Sequence, residues 1–481
     1  MKSFIKVTAL AVTIFFLFSC SSKNKKQNEK ELKAHESALQ AYTLLKEQQD
    51  KNIREIMDIL SIDEKLAQIF LINLENDDKF LAVEWYEKPF TKITEYTDSS
   101  DKTKYMSSKS KRTLMPGFYI FFGYNIADNP EQIIGFTDSI LEEAKENYLV
   151  PPFMSIDAEG GWVNRLRKVG GPLPECARVS ECLNPVQSYE LYSAAAKQLK
   201  SLGFNINLAP VSEIDSENNH EFLDGRSFGN FDQVVDYSTF CINAYQNNGV
   251  MTVVKHFPGN TNVDPHIGLP KIDMTEEDFE TTMKCFSKVL QAKPDAVLMS
   301  HAIVESKDKT PACLSKYWIN DVLRGQLKYD GLIFSDDIFM AALIENGYKP
   351  ETASRMAIEA GINCIMISEK KFGHWMELIK KNYLEDENIR KKIDESVYRV
   401  LKLKLKYGLI NRENLSPERK YADCLDFNNK SELPSVDSRA EIFNQNKNYA
   451  TEIYKKYFYE TADDLEKRCT GVLDVKKIES K

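Results

Sequence analysis

The sequence predicts an α/β protein built on a (β/α)8 barrel of TIM type, as a single large domain. Three observations carry that expectation. Eight short apolar runs recur along the chain, and most are followed by a longer segment of helical periodicity. The runs are apolar at successive positions, as strands buried on both faces require. Polar residues gather at the carboxyl ends of these runs: Asp157, Lys255 with His256, His301, and Asp336 with Asp337. In a barrel those ends converge on one mouth. A doubly wound open sheet is the competing architecture, and it would unite only the strand ends beside its switch point.

The elements follow in order. Residues 1–20, MKSFIKVTALAVTIFFLFSC, begin with Lys2 and Lys6 and continue in an apolar run, Val7 to Phe18. That run is short for a spanning helix, which needs about 20 residues, and has the form of an export signal. Its end, Leu17-Phe18-Ser19-Cys20, resembles a bacterial lipoprotein cleavage box, which implies a lipid on Cys20 of the mature chain. An ordinary export signal with an incidental Cys is the plainer alternative. Residues 21–54 read as a polar tether passing into a helix. The barrel is expected over 55–410, with strands in AQIFLINL (67–74), GFYIFFG (117–123), PFMSID (152–157), FNINLAPV (204–211), MTVVKH (251–256), AVLMSHA (296–302), GLIFSD (331–336) and NCIMIS (363–368). Helices are expected in NPEQIIGFTDSILEEAKENY and PVQSYELYSAAAKQLKSLG. Residues 78–112 form a charged insertion between the first two strands. Residues 411–481 are a polar extension with a helix expected around YATEIYKKYFYETADDLEKR.

Composition narrows the partners. The net charge is −9 over 481 residues, and removal of Lys2 and Lys6 with the leader takes it to −11. Nucleic acid, which needs clustered Lys and Arg, is therefore not an expected partner. Membrane attachment is expected through the lipid anchor alone. None of the nine cysteines forms a C-x-x-C pair, which disfavours zinc and dithiol chemistry. Cys176 and Cys182 are near enough in sequence to form a disulfide, whereas Cys241, Cys285 and Cys364 sit in apolar runs as small buried residues do.

Three segments carry chemistry. In FSDDIFM, Asp336 and Asp337 follow an apolar strand; one carboxylate can face a substrate while the other caps the next turn. In SIDAEGGWVNRLR, Asp157 and Glu159 precede Gly160-Gly161, and Arg165 follows, a grouping suited to sugar hydroxyls or to an internal ion pair. In KHFPGNTNVDPHIGLP, Lys255 and His256 end a strand, and Asp264 lies two residues before His266. An Asp held against one imidazole nitrogen fixes the tautomer and frees the other nitrogen for proton transfer. Metal binding by His256, His266 and Asp264 is a weaker reading, since their spacing matches no common ligand set.

Taken together and in this order, LSIDEKLAQIFLI, PGFYIFFGYNI, IDAEGGWVNRLR, NLAPVSEID, GRSFGN, VVKHFPG, VDPHIGLP, MSHAIV, GLIFSDDIFMAAL and AIEAGINCIMIS resemble the family 3 glycoside hydrolases, in their β-N-acetylhexosaminidase branch, over about residues 55–410. The resemblance implies a barrel that releases terminal β-linked N-acetylglucosamine with retention of configuration. It implies that Asp336 is the nucleophile and His266 the acid/base with Asp264 as its partner. It further implies that Asp157, Arg165, Arg226, Lys255 and His256 hold the sugar, and that no cofactor takes part. No second carboxylate need stand opposite the nucleophile, because the proton donor is an imidazole on a loop. The natural substrate would be cell-wall fragments, muropeptides or chitin-type oligosaccharides outside the cytoplasm.

Two departures bear on this. Where the family usually reads KHFPGHGDTxVDSH, this chain reads KHFPGNTNVDPH, two residues shorter and with Pro265 stiffening the dyad. Trp162 stands where the family commonly has Arg. The alternatives are a family 3 glycosidase or phosphorylase of another sugar specificity, and a glycan-binding surface lipoprotein without turnover.

Overall fold

The computed structural model describes residues 25–76, 114–147, 149–368, 372–410 and 434–458. The leader with Cys20 and the insertion 78–112 lie outside the described residues. The chain divides into two compact units, one ending at Ile56 and the other beginning at Met57. The first contains most of a 35-residue helix, Lys25–Ile59.

The second unit is built on strands β1 (Phe70–Asn73), β2 (Phe118–Phe121), β3 (Phe153–Ile156), a short hairpin of β4 (Ala158–Gly160) and β5 (Val163–Asn164), then β6 (Ile206–Asn207), β7 (Met251–Phe257), β8 (Ala296–Met299), β9 (Leu332–Phe334) and β10 (Ile365–Ile367). Eight of them form one parallel sheet in the order β10-β1-β2-β3-β6-β7-β8-β9. A parallel bridge between Phe334 and Cys364, with Ser335 N donating to Cys364 O at 2.9 Å, brings the two ends together into a nearly closed barrel. Seven of the eight expected runs contain one of these strands and the eighth, 251–256, falls one residue short of β7, so the open-sheet alternative is set aside.

Register explains the filling. Leu71 pairs with Phe118, Phe118 with Phe153, and Ala296 with Leu332. These side chains share one buried cluster with Ile206, Met251, Phe334 and Cys364. Phe118 stacks on Phe153 at 5.3 Å and meets Phe334 edge-on at 5.1 Å. Val400, on the helix Glu387–Lys406, joins the same cluster, with Leu403, Tyr407 and Leu409 packed against it. That helix closes the amino-terminal end of the barrel and leaves the opposite end for chemistry.

The two expected outer helices form at Pro130–Glu146 and Pro185–Ser201, each begun by an Asn whose side chain accepts from the third helical N–H and by Pro in the first turn. In the carboxyl-terminal extension the helix spans Val436–Tyr457, starting earlier than the sequence indicates, because Ser435 caps it. Its buried Arg439 donates to Ser201 O at 2.9 Å and to Asp138 at 2.7 Å, fastening it to both outer helices. Cys176 and Cys182 are free thiols at the two ends of one helix, Cys176–Cys182. Six residues of helix separate them by about 9 Å, beyond the span of a disulfide.

One glycine is fixed by contact. A Cβ on Gly117 would lie 2.0 Å from the backbone oxygen of Gln68, where β1 and β2 begin. Gly117→Ala is expected to lower stability by about 3 kcal/mol, read from a denaturant titration.

Candidate active site

The carboxyl end of β3 begins the site. Asp157 follows the strand, and the β4–β5 hairpin returns the chain so that Glu159 and Arg165 reach the same place. Gly160 turns the hairpin at φ 121°, and a Cβ there would meet Pro174 O at 2.1 Å, so the close approach demands glycine. Glu159 accepts from Arg226 Nε at 2.8 Å and Nη2 at 3.0 Å, and lies 2.5 Å from Lys255 Nζ. Lys255 also donates to Asp157 Oδ1 at 2.9 Å, and Arg165 Nη2 stands 3.7 Å from Asp157 Oδ2. Three cations thus share two carboxylates. Burial alone would raise the Glu159 pKa, but Arg226 and Lys255 outweigh it and hold it at about 2. Burial opposes the charge on Lys255, and Asp157 and Glu159 reverse that, leaving its pKa raised.

The arrangement holds charged groups rigid in a dry pocket wall. Arg165 Nε is buried without a protein partner, a donor left for a ligand oxygen. Lys255→Met removes the shared cation and leaves buried carboxylates underpaired. It is expected to destabilise the fold by about 3–5 kcal/mol, measured by chemical denaturation.

Strand β7 supplies the next layer. Its register with β8 shifts between Val254 and Phe257, a bulge that re-aims the residues between. Lys255 therefore reaches Asp157, while His256 Nδ1 lies 2.7 Å from Glu213 Oε1. Glu213 also accepts from His256 N at 3.2 Å, from Asn260 N at 2.7 Å and from Asn260 Nδ2 at 3.1 Å. It is buried and ties the start of the loop after β7 to the segment after β6. The sequence reading did not single it out.

That loop carries the Asp–His pair. Asp264 Oδ1 accepts from His266 N at 2.9 Å and lies 2.8 Å from His266 Nδ1. Their side chains are 46% and 71% exposed, so the other ring nitrogen is open to a ligand. Burial would raise the Asp264 pKa, but the His266 backbone and ring bonds lower it on balance. The loop is fastened on both flanks. Asn262 N donates to Asn218 O at 2.8 Å, and Ile303 N to Pro270 O at 2.9 Å. At its crest Ala342 N donates to Pro265 O at 3.3 Å. Ala342 lies in the short helix Ala341–Ile344, just after the Asp336-Asp337 pair. A cavity of about 410 Å³ lies behind the loop, lined by Glu213, Asn260, Val263, Ile272 and Phe286.

The two aspartates after β9 divide their work. Asp337 Oδ1 accepts from Phe339 N at 3.0 Å and from Ser368 N at 3.1 Å, joining the ends of β9 and β10. Burial raises its pKa. Asp336 accepts from Asp337 N at 2.8 Å, and its side chain remains 14% exposed. Burial pushes its pKa up, yet His301, His256, the Asp337 N–H and Lys255 bring it below the ordinary aspartate value. It is an ionised carboxylate at the mouth with cationic and N–H neighbours.

Asp157, Arg165, Arg226 and Lys255 therefore meet in one network, His256 is held beside it, and Asp264 pairs with His266. The fields of His256 and Lys255 reach Asp336, joining these groups electrostatically. His256 turns its Nδ1 to Glu213, and among the described residues no three His, Cys, Asp or Glu side chains gather as ligands. Glu213 is a participant that the sequence reading did not single out; Glu159 and His301 were noted there, the one beside Asp157 and the other at a strand end, without an assigned partner.

Comparison with known proteins places this geometry. The model of the glycosyl hydrolase family 3 N-terminal domain matches residues 61–403. The chain is 26% identical over 327 residues to beta-hexosaminidase A of Pseudoalteromonas piscicida, covering 60% of this chain and about half, 53%, of that one. It is 30% identical over 273 residues to a beta-hexosaminidase of Alkalilimnicola ehrlichii, covering 54% and 77%. A solved family 3 beta-N-acetylglucosaminidase from Paenibacillus superposes with a TM-score of 0.61 at 26% identity, covering 80% of this chain and 68% of that one. A fungal multi-domain beta-N-acetylglucosaminidase, at 24% identity and a TM-score of 0.62, shares the fold; the chain spans 43% of it. With a barrel of this topology and a family match over most of its length, the chain belongs to glycosyl hydrolase family 3.

Proposed function

We propose that this protein is a retaining exo-β-N-acetylglucosaminidase. Asp336 attacks the anomeric carbon and forms a covalent glycosyl-enzyme. His266, oriented by Asp264, gives its proton to the leaving oxygen and then takes one from the attacking water. Asp157, Arg165, Arg226, Lys255 and His256 hold the terminal sugar. The observation that carries this reading is the loop crest. An exposed imidazole with a carboxylate on its Nδ1 sits on a segment hydrogen-bonded, through Pro265 O, to the helix that follows Asp336. The names of the beta-hexosaminidase relatives support the sugar preference.

In the same proposal, residues 1–20 export the chain and Cys20 anchors it to a bacterial membrane, where it trims cell-wall fragments, muropeptides or chitin-type oligosaccharides. The deciding experiment compares release of chromophore from aryl β-N-acetylglucosaminide and aryl β-glucoside, with and without phosphate. The N-acetylated substrate is expected to be preferred, and phosphate to leave the rate unchanged. Preference for the glucoside, or a phosphate-dependent sugar phosphate product, rejects the assignment. Metabolic labelling with a fatty-acid analogue checks the anchor, with Cys20→Ser expected to lose the label.

A further inference from the structure

His301 lies just beyond β8, beside Asp336 just beyond β9. The two strands are paired neighbours, with Leu298 opposite Phe334, so the residues that follow them emerge side by side at the mouth. The His301 side chain is wholly buried, so it cannot touch substrate. Its Nδ1 lies 3.3 Å from Cys313 Sγ. Its Nε2 is buried with no hydrogen-bond partner and points toward Asp336 Oδ2, 3.9 Å away. A buried, unpartnered imidazole nitrogen beside a catalytic carboxylate calls for an explanation.

The tautomer follows from the neighbours. A nitrogen that faces a carboxylate is favoured as the N–H donor, so the proton belongs on Nε2 and Nδ1 is an acceptor. Cys313 must then donate its S–H. Burial raises the Cys313 pKa well above that of a free thiol, which keeps the proton on sulfur. Burial likewise lowers the His301 pKa, which favours the neutral ring. The groups whose charge acts on it are Asp336, which favours the charged ring, and His256 and His266, which oppose it; the Asp337 backbone also favours the charged ring as an acceptor.

We propose that His301 is a positioning residue for Asp336: the Cys313 thiol fixes its tautomer, and its Nε2–H is directed at Oδ2 across 3.9 Å while the Asp337 N–H holds Oδ1. The two donors aim the carboxylate and favour its ionised form, both before attack and when it departs from the glycosyl-enzyme. This inference rests on Asp336 being the nucleophile.

The test uses His301→Phe, which fills the space without an N–H, with Cys313→Ala and Cys313→Ser. The pH profile of kcat/KM is read on an aryl β-N-acetylglucosaminide, with a thermal melt for each variant. His301→Phe is expected to lower kcat about tenfold or more with little change in KM. Its acidic limb should move to higher pH, because Asp336 has lost a group that favours its charge. Cys313→Ala should give a smaller shift in the same direction, and Cys313→Ser, which retains a donor, should restore the limb. An acidic limb unmoved in both His301→Phe and Cys313→Ala overturns the inference. Should His301→Phe fail to fold, the two Cys313 variants decide alone. Wild-type turnover by Asp336→Ala would instead overturn the nucleophile assignment, and this inference with it.

Discussion

Asp336→Ala is expected to abolish turnover, with kcat falling by about 10⁵-fold or more while the barrel stays folded. The carboxylate makes one hydrogen bond to its own backbone neighbour and packs in no apolar cluster, so its loss opens space at the mouth and leaves the core intact. The same space makes the result diagnostic. A β-linked sugar presents the α face of its anomeric carbon to Asp336. Added azide should enter the vacated position, attack that face and release an α-glycosyl azide, identified by the anomeric coupling in NMR. A glycan-binding protein without catalysis would lose nothing on this substitution, and a carboxylate that merely caps a turn would yield no azide adduct. The wild-type pH profile adds an independent check. The Asp336 pKa is lowered, so this carboxylate stays charged until the pH falls below the ordinary aspartate value of about 3.9. The acidic loss of kcat/KM should therefore begin below that point.

Much of this was legible in the residues, for a reason that also marks the limit. Strands buried on both faces leave continuous apolar runs, so all eight could be located by composition alone. Polar residues at their carboxyl ends stand out because nothing else interrupts the pattern, which is why Asp157, Lys255, His256 and Asp336 were visible. Glu213 was not, because β6 is two residues long and the carboxylate follows it by a stretch with no periodicity. Its four contacts lie across the chain, on residues 256 and 260. Glu159 was seen beside Asp157 but its partners were not, since Arg226 lies 67 positions away. The pairing of His301 with Asp336 depends on β8 and β9 being neighbours in register, which a list of strands does not state. The helix Val436–Tyr457 was displaced in the sequence reading because its buried face is narrow and its anchor, Arg439, is charged.

His266→Ala supplies the second large effect, and its size should depend on the leaving group. Breaking a glycosidic bond to another sugar expels an alkoxide unless a proton arrives with it. Loss of the acid is expected to cost about 10²–10⁴-fold on a disaccharide. A nitrophenolate leaves without help, so on that substrate the first step should be nearly unaffected. The second step then becomes limiting, because no base remains to deprotonate water, and the glycosyl-enzyme should accumulate as an initial burst. Azide, which needs no deprotonation, should restore turnover here with retention, opposite in stereochemistry to its action on Asp336→Ala. Asp264→Asn should lie between wild type and His266→Ala, since it keeps an oxygen near Nδ1 but removes the charge that stabilises the imidazolium. The shortened loop makes these comparisons informative. Pro265 both stiffens the dyad and accepts from Ala342, so the loop is tied to the helix that follows Asp336 without the two residues that the family usually has. If disaccharide and nitrophenyl substrates lose the same factor on His266→Ala, the imidazole is not the proton donor, and the loop serves binding alone.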